Sequence, residues 1–174
     1  LPSPNMPSLA PALVYPGAVL LEGTNLSEGR GTTRPFELAG APFIEPQRLA
    51  GELRRLKWPG VRFVPMFFKP EFSKHAGRVC GGVLVQVTDP ARLRSFALYY
   101  ELIRAVARLC PGRFAWKKPP YEFEFKRPPI DMICGTDAVR RAVEQDVPFV
   151  RLRAGIERGI AAYAEAVRPF LLYP

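Results

Sequence analysis

The hydrophobic residues of this chain recur with two different periods, and prolines separate the segments. Alternating apolar and aromatic residues predict a strand at residues 61–68, and a β-branched stretch predicts another at 79–88. Apolar residues three and four positions apart predict amphipathic helices at 46–57 and, after the start signal Asp89-Pro90, from residue 90 to about residue 110. Strands and helices therefore alternate along the chain, which is typical of one layered domain.

The less regular segments predict further strands and helices. The strands are expected at residues 18–21, 36–43 and 121–125. The helices are expected at residues 10–15, 131–144 and 150–167, the first ended by Pro16-Gly17 and the second broken near Gly135. Gly81-Gly82 indicates a bulge or a close backbone approach. We therefore predict an α/β (α+β) fold: a single layered domain with a small, mostly antiparallel or mixed sheet of about four to five strands and about four helices.

A polar run follows the strand predicted at residues 18–21. Residues 22–36, Glu-Gly-Thr-Asn-Leu-Ser-Glu-Gly-Arg-Gly-Thr-Thr-Arg-Pro-Phe, combine carboxylates, guanidiniums, an amide and hydroxyls with three glycines. A buried strand could not accommodate these groups without partners, and glycines let a backbone come close to a ligand. We interpret the polar run as a site loop. The alternative is internal bracing by Glu28–Arg30 or Glu22–Arg34 ion pairs and by hydroxyls that cap turns.

The net charge of the chain raises the question of its partner. The formal net charge is +9, which fits either a basic surface or a polyanionic partner such as nucleic acid or an acidic cell-wall polymer. The basic residues are scattered and form no aromatic-interleaved RNA motif, so an acidic substrate or a plain basic surface is favoured over nucleic acid. No apolar stretch approaches the roughly 20 residues that a membrane span requires.

The sequence favours neither metal nor cofactor chemistry. Three cysteines without Cys-x-x-Cys spacing favour small buried apolar residues over a disulfide framework, and His75 is the only histidine. No metal site and no cofactor are therefore expected. Ser27 and Ser73 lack the Gly-x-Ser-x-Gly environment of a serine hydrolase nucleophile.

Segments distributed over nearly the whole chain carry a resemblance to a known family; they are residues 3–7, 12–17, 22–37, 40–43, 72–77, 121–123, 129–131, 135–137 and 170–173. These segments resemble the NamZ family. Proteins of this family are exo-β-N-acetylmuramidases, glycoside hydrolases that release N-acetylmuramic acid from the non-reducing ends of peptidoglycan fragments. The resemblance implies a hydrolase that degrades bacterial cell wall and is extracytoplasmic, either secreted or periplasmic, with any signal peptide encoded upstream of Leu1.

The resemblance also implies a division into domains. Family proteins have an N-terminal Rossmann-like domain, a smaller C-terminal domain and an active cleft between the two. Residues 9–174 match the C-terminal domain, and residues 1–8 are interpreted as a Pro-rich linker from the missing domain. We therefore expect the isolated chain to be inactive or weakly active. The alternative is a non-catalytic module that binds muramic acid or docks another domain.

The polar run contains groups suited to glycoside cleavage, which commonly needs a carboxylic acid and a second group that supports an oxocarbenium-like centre. Glu22 and Glu28 are the candidate catalytic carboxylates, and either could be the acid. Arg30 and Arg34 are candidate receptors for the lactyl carboxylate of N-acetylmuramic acid, because an arginine fork matches a carboxylate. The remaining candidate substrate-binding residues are Asn25, Ser27, Thr32, Thr33 and, in a separate loop, His75, whose alternative role is structural.

Overall fold

Three antiparallel strands form the sheet of the computed structural model, which describes residues 3–173. The central strand β3 (Cys80–Val87) lies between β1 (Leu38–Ala41) and β2 (Val61–Phe68), and β2 pairs with β3 in one continuous register. The α+β class is confirmed. The described residues form fewer strands than the four to five expected.

Helices supply most of the remaining structure. The α-helices are α1 (Leu9–Ala18), α2 (Pro46–Arg55), α3 (Ser95–Leu109), α4 (Pro129–Cys134), α5 (Ala138–Glu144) and α6 (Phe149–Val167). Helix α2 packs on β2, β3 and α3, while α3 also packs on α1 and α5. Since α3 contributes a large share of the fully buried side chains, it is the centre of the core. No helix within residues 3–173 has both the length and the apolar character needed to cross a membrane.

The strand prediction at residues 18–21 was wrong. Helix α1 continues through Pro16-Gly17, and a 3₁₀ helix (Val19–Gly23) follows it. Gly17 lies against the start of α3: its N–H donates to the Ser95 hydroxyl at 2.9 Å, and a Cβ at this position would lie 2.1 Å from the Ser95 carbonyl oxygen. The glycine therefore allows close helix packing here and does not end the helix.

The strand prediction at residues 121–125 was also wrong. The segment forms a tight turn in which the backbone N–H of Tyr121 donates to the Glu124 carbonyl at 2.9 Å and the Glu124 N–H donates to the Tyr121 carbonyl at 3.0 Å. Phe123 is 96% exposed and Phe125 is 72% exposed. The alternation of aromatic and acidic residues therefore does not mark a half-buried strand.

Predictions at single glycines, at Asp89 and at the cysteines were confirmed wholly or in part. The helix break at Gly135 is confirmed by a left-handed backbone with φ +67° between α4 and α5. Asp89 caps a separate 3₁₀ turn (Pro90–Arg92), so α3 begins later than predicted. Gly82 marks a close backbone approach, because a Cβ there would lie 2.1 Å from the Ala39 carbonyl oxygen of β1. All three cysteines are free thiols; Cys80 is buried as predicted, whereas Cys110 and Cys134 are only partly buried.

Candidate functional site

Four charged side chains meet beside the polar run. The Nη2 atom of Arg30 donates a hydrogen bond to Glu22 Oε1, and the Nε atom of Arg30 lies 3.4 Å from Glu28 Oε1. Lys74, in the loop between β2 and β3, places its Nζ atom 2.8 Å from Glu28 Oε2. We refer to Glu22, Glu28, Arg30 and Lys74 as the charged cluster. Its two carboxylates and two cations balance one another.

Glu28 is the most enclosed member of the charged cluster, and the Lys74 side chain beside it is 21% exposed. The Glu28 side chain is only 4% exposed, and the Lys74 ammonium also donates to the carbonyl oxygens of Leu21 at 2.7 Å and Leu26 at 2.8 Å. Burial lowers the pKa of Lys74, and the negative charge of Glu28 opposes this shift. The Lys74 Nζ and Glu28 Oε2 atoms carry opposite charges and lie 2.8 Å apart. The contact is therefore an ion pair.

Glu22 and Arg30 form the other half of the charged cluster. Their side chains are 15% and 32% exposed, respectively. The Tyr121 hydroxyl donates to Glu22 Oε2 at 2.9 Å, and the Lys117 ammonium lies 5.1 Å from the centre of the Tyr121 ring. Burial, together with the hydrogen bond to Glu22, raises the pKa of Tyr121 to about 12. Glu22, Arg30 and Tyr121 therefore form the part of the site that solvent reaches, which we refer to as the open edge.

Backbone contacts fix the polar run between two neighbouring segments. On one side, Ser27 and Gly40 of β1 exchange hydrogen bonds of 2.7 and 3.1 Å. On the other side, the Asn25 amide donates to the Arg113 carbonyl at 2.8 Å and accepts from the Ala115 N–H at 3.1 Å. Gly31 has φ +81°, and a Cβ there would lie 2.6 Å from the Phe72 carbonyl oxygen. Only glycine therefore fits at this position without displacement.

Phe36 ends the polar run in a left-handed conformation with φ +65°. Its N–H donates to the Glu28 carbonyl at 2.6 Å, and its carbonyl accepts from the hydroxyl of Tyr99 at 2.6 Å. The ring is buried, and the Arg30 guanidinium carbon lies 5.2 Å from its centre. These contacts hold a backbone conformation that costs roughly 1–2 kcal/mol for a residue with a Cβ.

The hydroxyls of the polar run mainly brace its turns. Ser27 Oγ accepts from the Gly29 N–H at 3.1 Å. Thr32 Oγ1 donates to the Gly29 carbonyl at 2.6 Å and accepts from the Arg34 N–H at 3.1 Å. Together with the Asn25 contacts, these bonds match the bracing alternative for three of the predicted sugar ligands.

The remaining predicted residues are Thr33, Arg34 and His75. Thr33 is exposed, and the Arg34 side chain is 56% exposed with its Nη1 atom 3.3 Å from Glu37 Oε1, so the anticipated Glu22–Arg34 pair is replaced by Glu22–Arg30. The His75 Nε2 atom lies 2.7 Å from the Asn25 carbonyl oxygen. The structure thus brings Glu22, Glu28 and Arg30 together and leaves Arg34 outside their network.

Two surface grooves lie away from the polar run. One, of about 240 Å³, lies between α2 and the C-terminal end of α3, and a second of similar size lies beside β2. Neither is lined by residues 22–36. Within residues 3–173, no group of three or more His, Cys, Asp or Glu side chains is arranged to hold a metal ion.

Sequence reasoning missed two members of the site, Lys74 and Tyr121. Lys74 contacts Glu28, and Tyr121 contacts Glu22. The resemblance to the NamZ family could have pointed to both residues, because they lie in two of the segments that carry it, residues 72–77 and 121–123. Composition and periodicity gave no reason to connect either residue with the polar run.

Comparison with known proteins identifies the family. The family model described as "Exo-beta-N-acetylmuramidase NamZ, C-terminal" matches residues 13–173. The chain therefore belongs to the NamZ C-terminal family. It is 37% identical over 174 residues to the peptidoglycan beta-N-acetylmuramidase NamZ of Bacillus subtilis (strain 168), in a match that covers 99% of this chain and 40% of that protein.

Solved structures share the fold. A crystal structure of a DUF1343 family protein from Bacteroides fragilis NCTC 9343 aligns with a TM-score of 0.84 and 26% identity over 99% of this chain and 44% of its own. A second DUF1343 family protein from the same organism aligns with a TM-score of 0.62 and 25% identity over 99% of this chain and 43% of its own. The chain thus spans less than half the length of each of these relatives.

Proposed function

We propose that this chain is the C-terminal part of a bacterial glycoside hydrolase that releases N-acetylmuramic acid from the non-reducing ends of peptidoglycan fragments. The observation that carries the proposal is the match to the NamZ C-terminal model, together with the similarity to a peptidoglycan beta-N-acetylmuramidase. The net charge of +9 is consistent with an acidic glycan as substrate.

The other half of the proposed active cleft comes from an N-terminal domain, which we propose to be Rossmann-like, joined through residues 1–8. The relatives have the length for it, since the matched stretch is 40% of the Bacillus subtilis protein. We refer to this chain joined to that domain as the two-domain protein. We further propose that it acts outside the cytoplasm, where peptidoglycan lies. Residues 1 and 2 of the proposed linker lie outside the described residues.

The open edge is the part of this chain proposed to face the sugar. Glu28 is enclosed by Lys74 and Arg30, whereas Glu22 reaches solvent. Glu22 is therefore the carboxylate that this wall offers to a substrate, either as an acid or as a charge that supports the oxocarbenium-like centre. Glu28 then acts by holding Arg30.

We propose that Arg34, with Thr33 beside it in the sequence, binds the lactyl carboxylate of N-acetylmuramic acid. Both side chains are exposed, and Arg34 makes only a long 3.3 Å contact with Glu37. Arg30 already serves two carboxylates and so has less capacity for a third. Asn25, Ser27 and Thr32 shape the loop that presents these groups.

A second candidate function is a non-catalytic module that binds muramic acid or docks the N-terminal domain. The observation that favours it is the internal pairing of the polar run, because most of its hydrogen-bonding groups are already satisfied by backbone or side-chain partners. In that case all chemistry belongs to the N-terminal domain.

A chromogenic glycoside of N-acetylmuramic acid separates the two functions. The two-domain protein is expected to hydrolyse it, and this chain alone is not. Glu22→Gln in the two-domain protein is expected to lower turnover at least 100-fold, while the matched change Glu71→Gln, at a side chain 74% exposed, leaves it unchanged. Wild-type turnover in the Glu22 variant would favour the non-catalytic module. No hydrolysis by the two-domain protein would refute the proposal that this chain is part of a muramic acid glycosidase.

A further inference from the structure

Helix α6 carries an apolar stripe that is packed only at its beginning. The stripe is formed by residues three or four positions apart, namely Phe149, Leu152, Ile156, Ile160, Tyr163 and Val167. At the start, the Phe149 ring lies 5.6 Å from the ring of Tyr100, and its N–H donates to Glu101 Oε1 at 2.7 Å. Further along, Ile160 is 62% exposed and Tyr163 is 68% exposed. The stripe thus runs beyond the edge of the domain.

The segment after α6 extends this exposed surface. Residues 170–173, Phe-Leu-Leu-Tyr, are between 57% and 89% exposed. No residue of the nineteen in α6 is buried. Helices in proteins owe most of their stability to packing of the apolar face, and large exposed apolar patches commonly mark interaction sites. The pattern on α6 is therefore that of a helix whose packing partner lies outside this chain.

We propose that the N-terminal domain of the two-domain protein packs on this surface, which comprises the second half of α6 (residues 156–167) and residues 170–173 and which we refer to as the α6 face. This inference rests on the proposed function only in taking the chain to be part of a longer protein. The matched family region is C-terminal, and it accounts for 40% of the Bacillus subtilis relative. The rest of such a protein precedes the matched region and is large enough to cover the α6 face.

The charges of α6 favour a protein partner over a lipid surface. A helix that binds anionic membranes has a strongly basic polar face. Helix α6 instead carries three arginines and two glutamates, and one of these glutamates, Glu157, pairs with Arg153 at 2.6 Å. Arg168, just beyond the helix, lies 3.8 Å from Glu165. Mixed, partly paired charges beside an apolar stripe are typical of a helix that packs against protein.

Hydrogen exchange compares the α6 face in two settings. Backbone amides of residues 156–173 are expected to exchange about 100-fold more slowly in the two-domain protein than in this chain alone, because packing suppresses local opening. The measurement needs no substrate. A two-domain protein that protects these residues but hydrolyses no muramic acid glycoside would retain this inference and refute the proposed function.

Matched double variants test the apolar stripe itself. Ile160→Glu with Tyr163→Glu is expected to abolish the protection in the two-domain protein and to lower its Tm by several degrees, while leaving the Tm of this chain alone unchanged. Ala154→Glu with Ala161→Glu introduces the same charges on the opposite side of α6 and is expected to change neither quantity.

Several results would overturn the inference. One is equal exchange of residues 156–173 in the two proteins, and another is a coding sequence without an upstream domain. A third is that exchange in this chain alone becomes slower when anionic phosphatidylglycerol vesicles are added but does not change when the second domain is added. A further such result combines two observations: this chain dimerises in a concentration-dependent way that the Ile160→Glu, Tyr163→Glu variant abolishes, and residues 156–173 stay unprotected in the two-domain protein. The α6 face would then bind a second copy of this chain.

Discussion

The Tyr121 hydroxyl donates a hydrogen bond of 2.9 Å to Glu22 Oε2, although 99 residues separate the two in the sequence. The bond joins the polar run to the turn at residues 121–124. Because Arg30 holds the other oxygen of Glu22, the carboxylate is oriented from two sides. Tyr121 is therefore a positioning residue for the carboxylate that the open edge presents.

Tyr121→Phe tests this positioning role. Loss of a hydrogen bond to a charged group is expected to lower the free energy of unfolding by about 1–2 kcal/mol, and turnover by the two-domain protein should fall about tenfold with a smaller change in KM. Tyr15→Phe is the matched control, because the Tyr15 ring packs edge-on against Phe36 and the substitution keeps that ring. Equal turnover in the two variants would show that Tyr121 does not position Glu22 for the reaction.

Glu28→Gln is expected to destabilise the chain by about 3 kcal/mol, because it leaves the Lys74 ammonium largely enclosed without its counter-charge. The structural reason is that the Glu28 side chain is 4% exposed and lies 2.8 Å from Lys74 Nζ. Urea unfolding of the 174-residue chain measures the change. Glu71→Gln, at an exposed position, should stay within about 0.5 kcal/mol of wild type. A Glu28 variant as stable as the Glu71 variant would contradict the ion pair.

The buried position of Lys74 makes the free energy of unfolding depend on pH in the alkaline range. Burial lowers its pKa below the ordinary 10.5, so between the lowered pKa and 10.5 the unfolded chain binds more protons than the folded one. Stability from this group therefore rises with pH across that window and is lost as pH falls through the folded pKa. The free energy of unfolding of wild type minus that of Lys74→Met should increase as pH approaches 10.5. A difference that is flat or that decreases would contradict the lowered pKa.

Gly82 and Gly159 form a contrasting pair of glycines. A Cβ at Gly82 would lie 2.1 Å from the Ala39 carbonyl oxygen, whereas nothing lies within 4 Å of one at Gly159 in α6. Gly82→Ala is therefore expected to cost about 3 kcal/mol through displacement of β1. Gly159→Ala should be neutral or stabilise the chain by up to about 1 kcal/mol through helix propensity. Similar unfolding midpoints for the two variants would contradict the close strand pairing.

Helix α2 was predictable because its pattern matches its burial: Leu49, Ala50 and Leu53 face the core with the period of a helix. Strand β2 (Val61–Phe68) lies at the expected residues and pairs with β3 along its length, although Phe63 is its only buried residue. Residues 18–21 were assigned wrongly because a short apolar run does not distinguish a strand from a buried helical segment. Residues 121–125 alternate without a neighbouring strand, and Phe123 is fully in solvent.

The site was predictable only where its members are close in sequence. Glu22, Glu28 and Arg30 lie within one run, so their common location followed from the sequence. Lys74 lies 48 residues from Leu26, whose carbonyl it contacts, and Tyr121 lies still further from Glu22. Such contacts depend on how the elements pack, and single-sequence patterns do not report packing. The two carboxylates also differ in burial, since Glu28 is 4% exposed and Glu22 is 15% exposed, and nothing in the run indicated that difference.

The left-handed backbone of Phe36 has a thermodynamic consequence for any molecule that binds the open edge. Tyr99 and Glu28 fix this conformation as the chain folds, so the polar run acquires its shape before an encounter. Ordering a flexible side chain at binding costs roughly 0.5–1.5 kcal/mol, and a preorganised surface avoids much of that entropy loss. Affinity at the open edge would then be set mainly by desolvation of its charges and by the new contacts that replace water.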